Sequence, residues 1–425
     1  MVMRNFISLL GPGLVFAATS IGVSHVVQST RAGADFGYAL VAIIILAHVI
    51  KLPFFQAGPR YAAATGENLL DAYLRLGKGY YISVVLLTFA TMFIIQAAVT
   101  IVAAGVLANI LPFGWSIGVW SLVVLLASML LLITGGYRLL KNLMKAMMLV
   151  FLVLCVTTLC ASLLSDRPEQ LATAPQLLSV SSIAFIVALV GWMPTAIEVS
   201  IWHSFWVVEQ QKLDEVNASQ LNSSGTAPIA SKVKIRLLDF NIGYLFCCLL
   251  ALLFVALGAQ VLFGRGIPLQ DSAIGFSAQL IAIFTDILGP WSKPVVSGLI
   301  FIAMFSTCIA VADGFSQVIT RIAEQQFNLD GSKHKLAYHL CIPVIGIGGL
   351  AIILLFAGQL TSLVDFATTV SFLSAPWFAW LNMKSLTLPN MPVASRVTSG
   401  YNIYTQCCLA CLSAFAIFYL AWRLF

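Results

Sequence analysis

Charged residues are scarce in this sequence: Asp, Glu, Lys and Arg together make up 9% of its 425 residues. Soluble domains carry about 25%. A chain that is 60% hydrophobic, with a mean hydropathy of +0.98, has too little polar surface for a water-soluble fold of this length. Despite a net charge of +6, no basic stripe or tail is present, so no nucleic-acid partner is expected. The lipid bilayer is the predicted solvent.

Several functional motifs are also missing. No GxxxxGK[ST] phosphate-binding loop occurs, which argues against ATP-driven transport by this chain. No Ser-His-Asp or HExxH pattern is present, so we expect neither an enzyme nor a resident cofactor. The nine cysteines fall almost entirely within apolar runs. Cys408 and Cys411 form a CxxC pair that we interpret as two small residues of a membrane helix, with no disulfide framework.

Long continuous apolar runs make up most of the sequence. Each can cross about 30 Å of hydrocarbon as a helix of about 20 residues. The sequence therefore predicts an all-α polytopic membrane protein, with a single transmembrane transport domain over residues 1–425 and about eleven spans. The predicted spans lie near 6–30, 38–57, 81–110, 115–135, 143–164, 180–207, 238–263, 292–320, 337–358, 361–383 and 402–423.

Lys and Arg are concentrated in alternate loops, such as the one that carries Lys232, Lys234 and Arg236. Cytoplasmic loops are the ones enriched in Lys and Arg. This bias predicts a multi-pass protein of the inner (plasma) membrane, with its N-terminus in the cytoplasm and its C-terminus outside. We expect it to work as a monomer.

The span order also suggests an internal repeat. Spans one to five, about 6–164, and spans six to ten, about 180–383, would form two halves of opposite orientation, with an extra helix at about 402–423. The first span of each half is interrupted, at Ile21–His25 and at Val190–Pro194. Paired interruptions at corresponding positions are typical of a transporter binding site, because unwound backbone frees carbonyl groups and exposes half-helix ends.

Polar residues within the spans are candidates for function, because burying them in lipid is costly. His25 and Met193 are the predicted metal contacts, since imidazole and thioether favour transition metals. The alternatives are a histidine bonded between helices and a methionine that only packs. Glu198 is a candidate ligand, proton carrier or partner of a buried cation, whereas Lys51 is expected to extend to the inner surface. Further candidates for the pathway are Ser24, Thr195, Gln96, Asp313, Asp365 and Thr368.

At these positions the chain resembles the NRAMP family of proton-coupled divalent metal transporters. Gly11-Pro12-Gly13 opens span one, and Ala32–Tyr38 resembles the family's "AGA-x-FGY". Arg60–Gly66 resembles "RLGxATG", and Met193-Pro194 matches the start of "MPH". The resemblance covers the whole chain and implies a LeuT-like fold, a 5+5 inverted repeat with broken helices 1 and 6.

The departures from the family pattern lie in the site itself. The family's "DPGN" supplies an aspartate and an asparagine to the metal, and these positions are Gly22 and His25 here. The family's methionine ligand falls on Met193 and its carbonyl ligand on Val190. Thr195 replaces the histidine of "MPH". An acidic pair tied to proton movement falls on Gln96 and Val99, which puts proton coupling in doubt.

Three hypotheses remain open at this point. The first is a secondary transporter that moves a divalent transition-metal ion of the Mn or Fe type by alternating access, with His25, Met193 and the carbonyls of Gly22 and Val190 around the ion. The second is a symporter of amino acids or other organic solutes on the same fold. The third is a membrane sensor, which a large appended soluble domain would favour, and none is present.

Overall fold

The computed structural model describes residues 11–164, 176–220, 228–265, 268–328, 331–356 and 359–424. Residues 6–10, where span one is predicted to begin, lie outside this part. The described residues form fourteen α-helices and almost no other regular structure. They are α1 (Pro12–Ser20), α2 (Thr30–Phe36), α3 (Val41–Thr65), α4 (Leu69–Leu76), α5 (Lys78–Ile110), α6 (Ile117–Leu164), α7 (Val180–Gly191), α8 (Val199–Gln220), α9 (Ile229–Val261), α10 (Ala273–Leu288), α11 (Lys293–Phe327), α12 (Gly331–Leu355), α13 (Leu360–Ser385) and α14 (Ser399–Leu424).

Seven of the described helical stretches are long and apolar enough to cross a bilayer: α3, α5, the first part of α6, α9, α11, α12 and α14. The other predicted spans correspond to interrupted helices, to the second part of α6, and to the more polar α13. Helical structure in α6 continues from Ile117 to Leu164, across the predicted boundary between spans four and five. Both of its ends pack on the bundle, through buried Trp120 and through Phe151, whose ring lies 5.5 Å from that of Phe254.

Both predicted interruptions are present. The first break, Ile21–Gly22, separates α1 from a wide turn of π-helix at Val23–Ser29, which leads into α2. The second break, Trp192–Glu198, separates α7 from α8. A π-helical turn and a non-helical stretch both leave backbone groups outside the regular hydrogen-bond ladder. The two breaks are therefore where side chains and ions can meet free backbone polar groups inside the bundle.

The N-terminus of α1 is fixed by a carboxylate from another helix. Asp239 of α9 accepts hydrogen bonds from the backbone N–H groups of Gly11, at 3.1 Å, and Gly13, at 2.9 Å. The first N–H groups of a helix lack partners within it, and a negative charge there is favourable. A Cβ at Gly13 would lie 2.3 Å from the carbonyl oxygen of Asp239, so glycine allows α1 to lie directly on α9.

Candidate functional site

A cavity of about 20 Å³ lies between the two breaks. Its walls come from α1 and the start of the wide turn, from the second break and the start of α8, and from α5 and α11. Six of its lining residues carry side-chain oxygens: Thr19, Ser20, Ser24, Thr195, Glu198 and Thr307. A space of roughly 10–15 Å³ holds one water molecule. This cavity therefore accommodates a single water or a single small ion, and it is too small for a free amino acid.

Glu198 is the one ionisable side chain among the residues that line this cavity. Its side chain is 4% exposed. One carboxylate oxygen, Oε2, accepts a hydrogen bond of 3.3 Å from the Thr91 hydroxyl, and the other, Oε1, has no partner. A buried carboxylate oxygen without a partner carries a large desolvation cost. This oxygen is therefore poised to accept a cation or a proton in the cavity.

His25 lies at the first break but does not line the cavity. Its Nδ1 atom is 2.8 Å from the carbonyl oxygen of Ser20 and 2.8 Å from the hydroxyl of Ser24, and its Nε2 atom is 2.9 Å from the carbonyl oxygen of Cys247 on α9. Both ring nitrogens are thus engaged with protein oxygens. The wide turn at Val23–Ser29 directs the imidazole towards α9. In this conformation His25 is bonded between helices, the alternative to the predicted metal contact.

Met193 lies fully buried in the second break, outside the residues that line the cavity. The carbonyl oxygen of Val190, the predicted backbone ligand, accepts a hydrogen bond of 2.6 Å from the ammonium group of Lys51. Lys51 is fully buried, so the prediction that it extends to the inner surface is wrong. The last carbonyl groups of α7 and the carbonyl of Thr195 attract the ammonium instead, since the end of a helix leaves carbonyl lone pairs available; the Val190 carbonyl also accepts a 3.3 Å hydrogen bond from the N–H of Met193.

Gly22, the second predicted carbonyl contact, packs tightly against α11. A Cβ at this position would lie 2.5 Å from Oγ1 and 2.7 Å from Cγ2 of Thr307. Contacts under about 3 Å force one of the two groups to move. The glycine therefore allows the first break to lie against Thr307, which forms part of the cavity wall. A larger side chain at position 22 would fit only with a smaller residue than threonine at position 307.

Three of the predicted pathway residues have bonded roles away from the cavity. Asp313 accepts hydrogen bonds from Trp206 at 2.9 Å, Tyr338 at 2.6 Å and Gln317 at 2.7 Å. The Gln96 amide donates to Thr100 at 3.1 Å, whereas its oxygen has no partner. The Thr368 hydroxyl donates to the carbonyl oxygen of Val364 at 2.8 Å. Asp313 thus joins α11 to α8 and α12, whereas the bonds of Gln96 and Thr368 lie within their own helices.

A larger cavity of about 680 Å³, the vestibule, lies at the end of the bundle where α2 ends and α7 begins. Asp365 of α13 lines it and forms a two-pronged ion pair with Arg31 of α2, with N–O distances of 2.6 and 3.0 Å. Gln28 donates a further hydrogen bond of 3.1 Å to the same carboxylate. The Arg31 guanidinium also lies 4.9 Å from the ring centre of Phe185. These contacts tie the first broken helix to α13 at the vestibule wall.

We expect Asp365→Asn to lower the apparent melting temperature of the purified protein, because it leaves a largely buried Arg31 without its counter-charge. The side chain of Asp365 is 36% exposed, so we place the cost at about 1–2 kcal/mol, below that of a fully buried pair. Thermal unfolding in detergent measures it. Asp286→Asn, which changes an exposed acidic residue of α10, is the matched control. Equal melting temperatures for the two variants would contradict the assigned role.

The opposite end of the bundle is cross-linked by polar contacts. Asp71 of α4 accepts two hydrogen bonds from the guanidinium of Arg321 on α11, at 2.9 and 2.8 Å. Glu67, in the loop before α4, pairs with Arg75 at 2.8 Å, and this hydrogen bond lowers the pKa of the Glu67 carboxyl. Tyr61 adds a 3.0 Å hydrogen bond to Glu67. The structure thus has a vestibule at one end and a network of ion pairs and hydrogen bonds at the other.

No group of three or more His, Cys, Asp and Glu side chains in the described residues could together hold a metal ion. A metal in the small cavity would therefore meet one carboxylate and several neutral oxygens. Such a ligand set differs from the closed Cys and His sites of structural metals. It suits an ion that is bound weakly enough to be released.

Comparisons with known proteins agree with this architecture. The family model described as Natural resistance-associated macrophage protein-like, Nramp, matches residues 13–421. An uncharacterized protein of Pasteurella multocida is 34% identical over 380 residues, 88% of this chain and 84% of the relative. The divalent metal cation transporter MntH of Latilactobacillus sakei is 21% identical over 334 residues, 77% of this chain and 68% of the relative.

Solved structures show the same fold. The manganese transporter of Eremococcus coleocola superposes with a TM-score of 0.70 at 15% identity, covering 98% of this chain and 87% of that one. MhsT in complex with L-phenylalanine gives a TM-score of 0.62 at 13% identity, covering 95% and 98%. Both the predicted family and the predicted LeuT-like fold are confirmed. The chain is a multi-pass membrane transporter, not an enzyme, and it belongs to the Nramp family.

Proposed function

We propose that this chain moves a divalent transition-metal ion of the Mn or Fe type, one ion at a time, through the small cavity between the two breaks. The observation that carries the proposal is the pairing of a single-ion volume, about 20 Å³, with the unpartnered carboxylate oxygen of Glu198. The relatives named above, a divalent metal cation transporter and a manganese transporter, agree with this substrate class.

Glu198 would supply the charge that the family's aspartate provides elsewhere, and the hydroxyls of Thr19, Ser24 and Thr307 would supply neutral oxygens. Carboxylate and neutral oxygen ligands of this kind suit Mn²⁺. Met193 and His25 would reach the ion only if the second break or the wide turn rearranged.

Alternating access is supported by the asymmetry between the two ends of the bundle. A vestibule at one end and ion pairs at the other fit a conformation that opens to one side only. With the N-terminus on the cytoplasmic side of the plasma membrane, the vestibule would face the outside of the cell. No proton carrier is assigned to Gln96 or Val99, because neither side chain ionises.

Uptake into proteoliposomes tests this proposal. Purified protein should take up Mn²⁺ or Fe²⁺ above the level of empty liposomes, with an internal pH dye read in parallel to reveal any coupled proton flow. A parallel arm uses labelled L-phenylalanine, because MhsT shares the fold and binds that amino acid. Phenylalanine uptake without metal uptake would replace the metal proposal with the organic-solute alternative. The cavity volume opposes this outcome in the present conformation.

A further inference from the structure

The second break holds a cation already. The ammonium group of Lys51 lies 2.6 Å from the carbonyl oxygen of Val190, 2.8 Å from that of Gly191 and 3.3 Å from that of Thr195. A lysine ammonium has three N–H donors, and here each has one acceptor. Lys51 forms no ion pair with a carboxylate of the described residues. Its charge is thus compensated by backbone dipoles alone.

The three carbonyl groups converge because of how α7 ends. Val190 and Gly191 are the last residues of α7, and the last carbonyls of a helix carry its partial negative charge. The Val190 carbonyl accepts a 3.3 Å hydrogen bond from the N–H of Met193, and its second lone pair remains available to the ammonium. The chain then turns through the second break, which adds the carbonyl of Thr195 from the other side. Converging carbonyl oxygens are what proteins use to bind monovalent cations in place of water. We call these three carbonyl groups the carbonyl pocket.

We propose that the carbonyl pocket is a monovalent-cation site whose permanent occupant is the ammonium of Lys51, and that it accepts a free cation when this ammonium is withdrawn. The side chain therefore acts as a tethered ion. Its stem enters from α3, so the charge is fixed to the protein and never exchanges with solution. This holds whichever solute crosses the membrane, because none of the three contacts involves a transported species.

One consequence concerns the site next door. The ammonium takes the Val190 carbonyl, which therefore does not face the small cavity as a free ligand. The ammonium also places a fixed positive charge beside the carbonyl of Thr195, and Thr195 is one of the residues that line the small cavity. Like charges in a low-dielectric interior repel strongly, so the ammonium opposes the entry of a second cation into the carbonyl pocket.

The length of the stem gives a sharp test. Lys51→Ala removes three carbons and the nitrogen, a gap with the shape of n-propylammonium. Lys51→Met keeps a chain of the same length up to the nitrogen, so it leaves room for ammonium alone. We expect saturable rises in melting temperature, of about 4 °C or more, with propylammonium for Lys51→Ala and with ammonium for Lys51→Met. Purified full-length protein in detergent is used, with tetramethylammonium at equal ionic strength as the salt control.

Wild type and Lys78→Ala, which changes an exposed lysine at the start of α5, should show neither response. If Lys51→Ala yields folded protein only when propylammonium is present during purification, that rescue also supports the proposal. The proposal is overturned if neither variant responds to its matched cation, or if wild type responds equally. Either result would mean that Lys51 serves only to cap the end of α7 and that the carbonyl pocket does not bind free cations.

Discussion

Replacement of Glu198 by glutamine is expected to lower metal uptake at least tenfold. Glutamine keeps the size of the side chain and its hydrogen bond to Thr91, but it removes the charge that faces the small cavity. Losing one partner of a buried charge contact costs about 2–5 kcal/mol, and each 1.4 kcal/mol corresponds to about tenfold in binding. Initial uptake rates of Mn²⁺ into proteoliposomes measure the effect.

Glu209→Gln provides the matched control for this experiment. Glu209 lies on the same helix, α8, but is exposed, so its variant should transport at the wild-type rate. The melting temperature of Glu198→Gln should equal or exceed that of wild type, because an unpartnered neutral amide costs less to bury than an unpartnered carboxylate. Wild-type uptake by Glu198→Gln would show that the ion does not depend on this carboxylate, and the assignment of the site would fail.

The second large effect is expected at Gly22, where the family pattern has an aspartate. Gly22→Asp should destabilise the protein by about 1–3 kcal/mol, the usual cost of overpacking. The reason is that its Cβ would lie 2.5 and 2.7 Å from two side-chain atoms of Thr307. Thermal unfolding in detergent measures the loss. The family's ligand therefore cannot simply be restored by one substitution in this chain.

A compensating change on α11 separates crowding from charge. Thr307→Ala removes the two atoms closest to the Cβ at position 22, and the nearest remaining atom of residue 307 is its Cβ, at 2.9 Å. The double variant Gly22→Asp/Thr307→Ala should therefore regain most of the lost stability. The double variant should also bind Mn²⁺ at least about tenfold more tightly, or ~1.4 kcal/mol, because a second carboxylate enters the site. Gly22→Ala isolates the steric term. A stable Gly22→Asp single variant would contradict the packing of the first break.

Much of the fold could be predicted because its signals are compositional. Apolar runs mark the spans, and Gly22 and Pro194 mark the interruptions, since both residue types weaken a helix. The extent of the second break could not be read in the same way. It continues to Glu198, four residues past Pro194, through positions with no obvious helix breaker, and only packing against neighbouring helices determines where α8 begins.

The site was harder to predict than the scaffold. His25 lies at the predicted place along the chain, but the wide turn at Val23–Ser29 changes which way each side chain points, and helical periodicity does not apply there. Lys51 was visible as a charge within a span, yet its partners are backbone carbonyls from a segment 139 or more residues away. A sequence pattern carries no signal for a contact made through the backbone, so this role emerges only from the fold.

The central claim is that one metal ion binds beside Glu198 in the cavity between the two breaks. Equilibrium binding of radioactive Mn²⁺ to the purified protein in detergent tests it most directly, because it depends on neither reconstitution nor turnover. We predict saturable binding of one ion per chain in wild type and in Glu209→Gln, and loss of that binding in Glu198→Gln. Unchanged binding in Glu198→Gln, or no saturable Mn²⁺ binding by the wild type, would contradict the account.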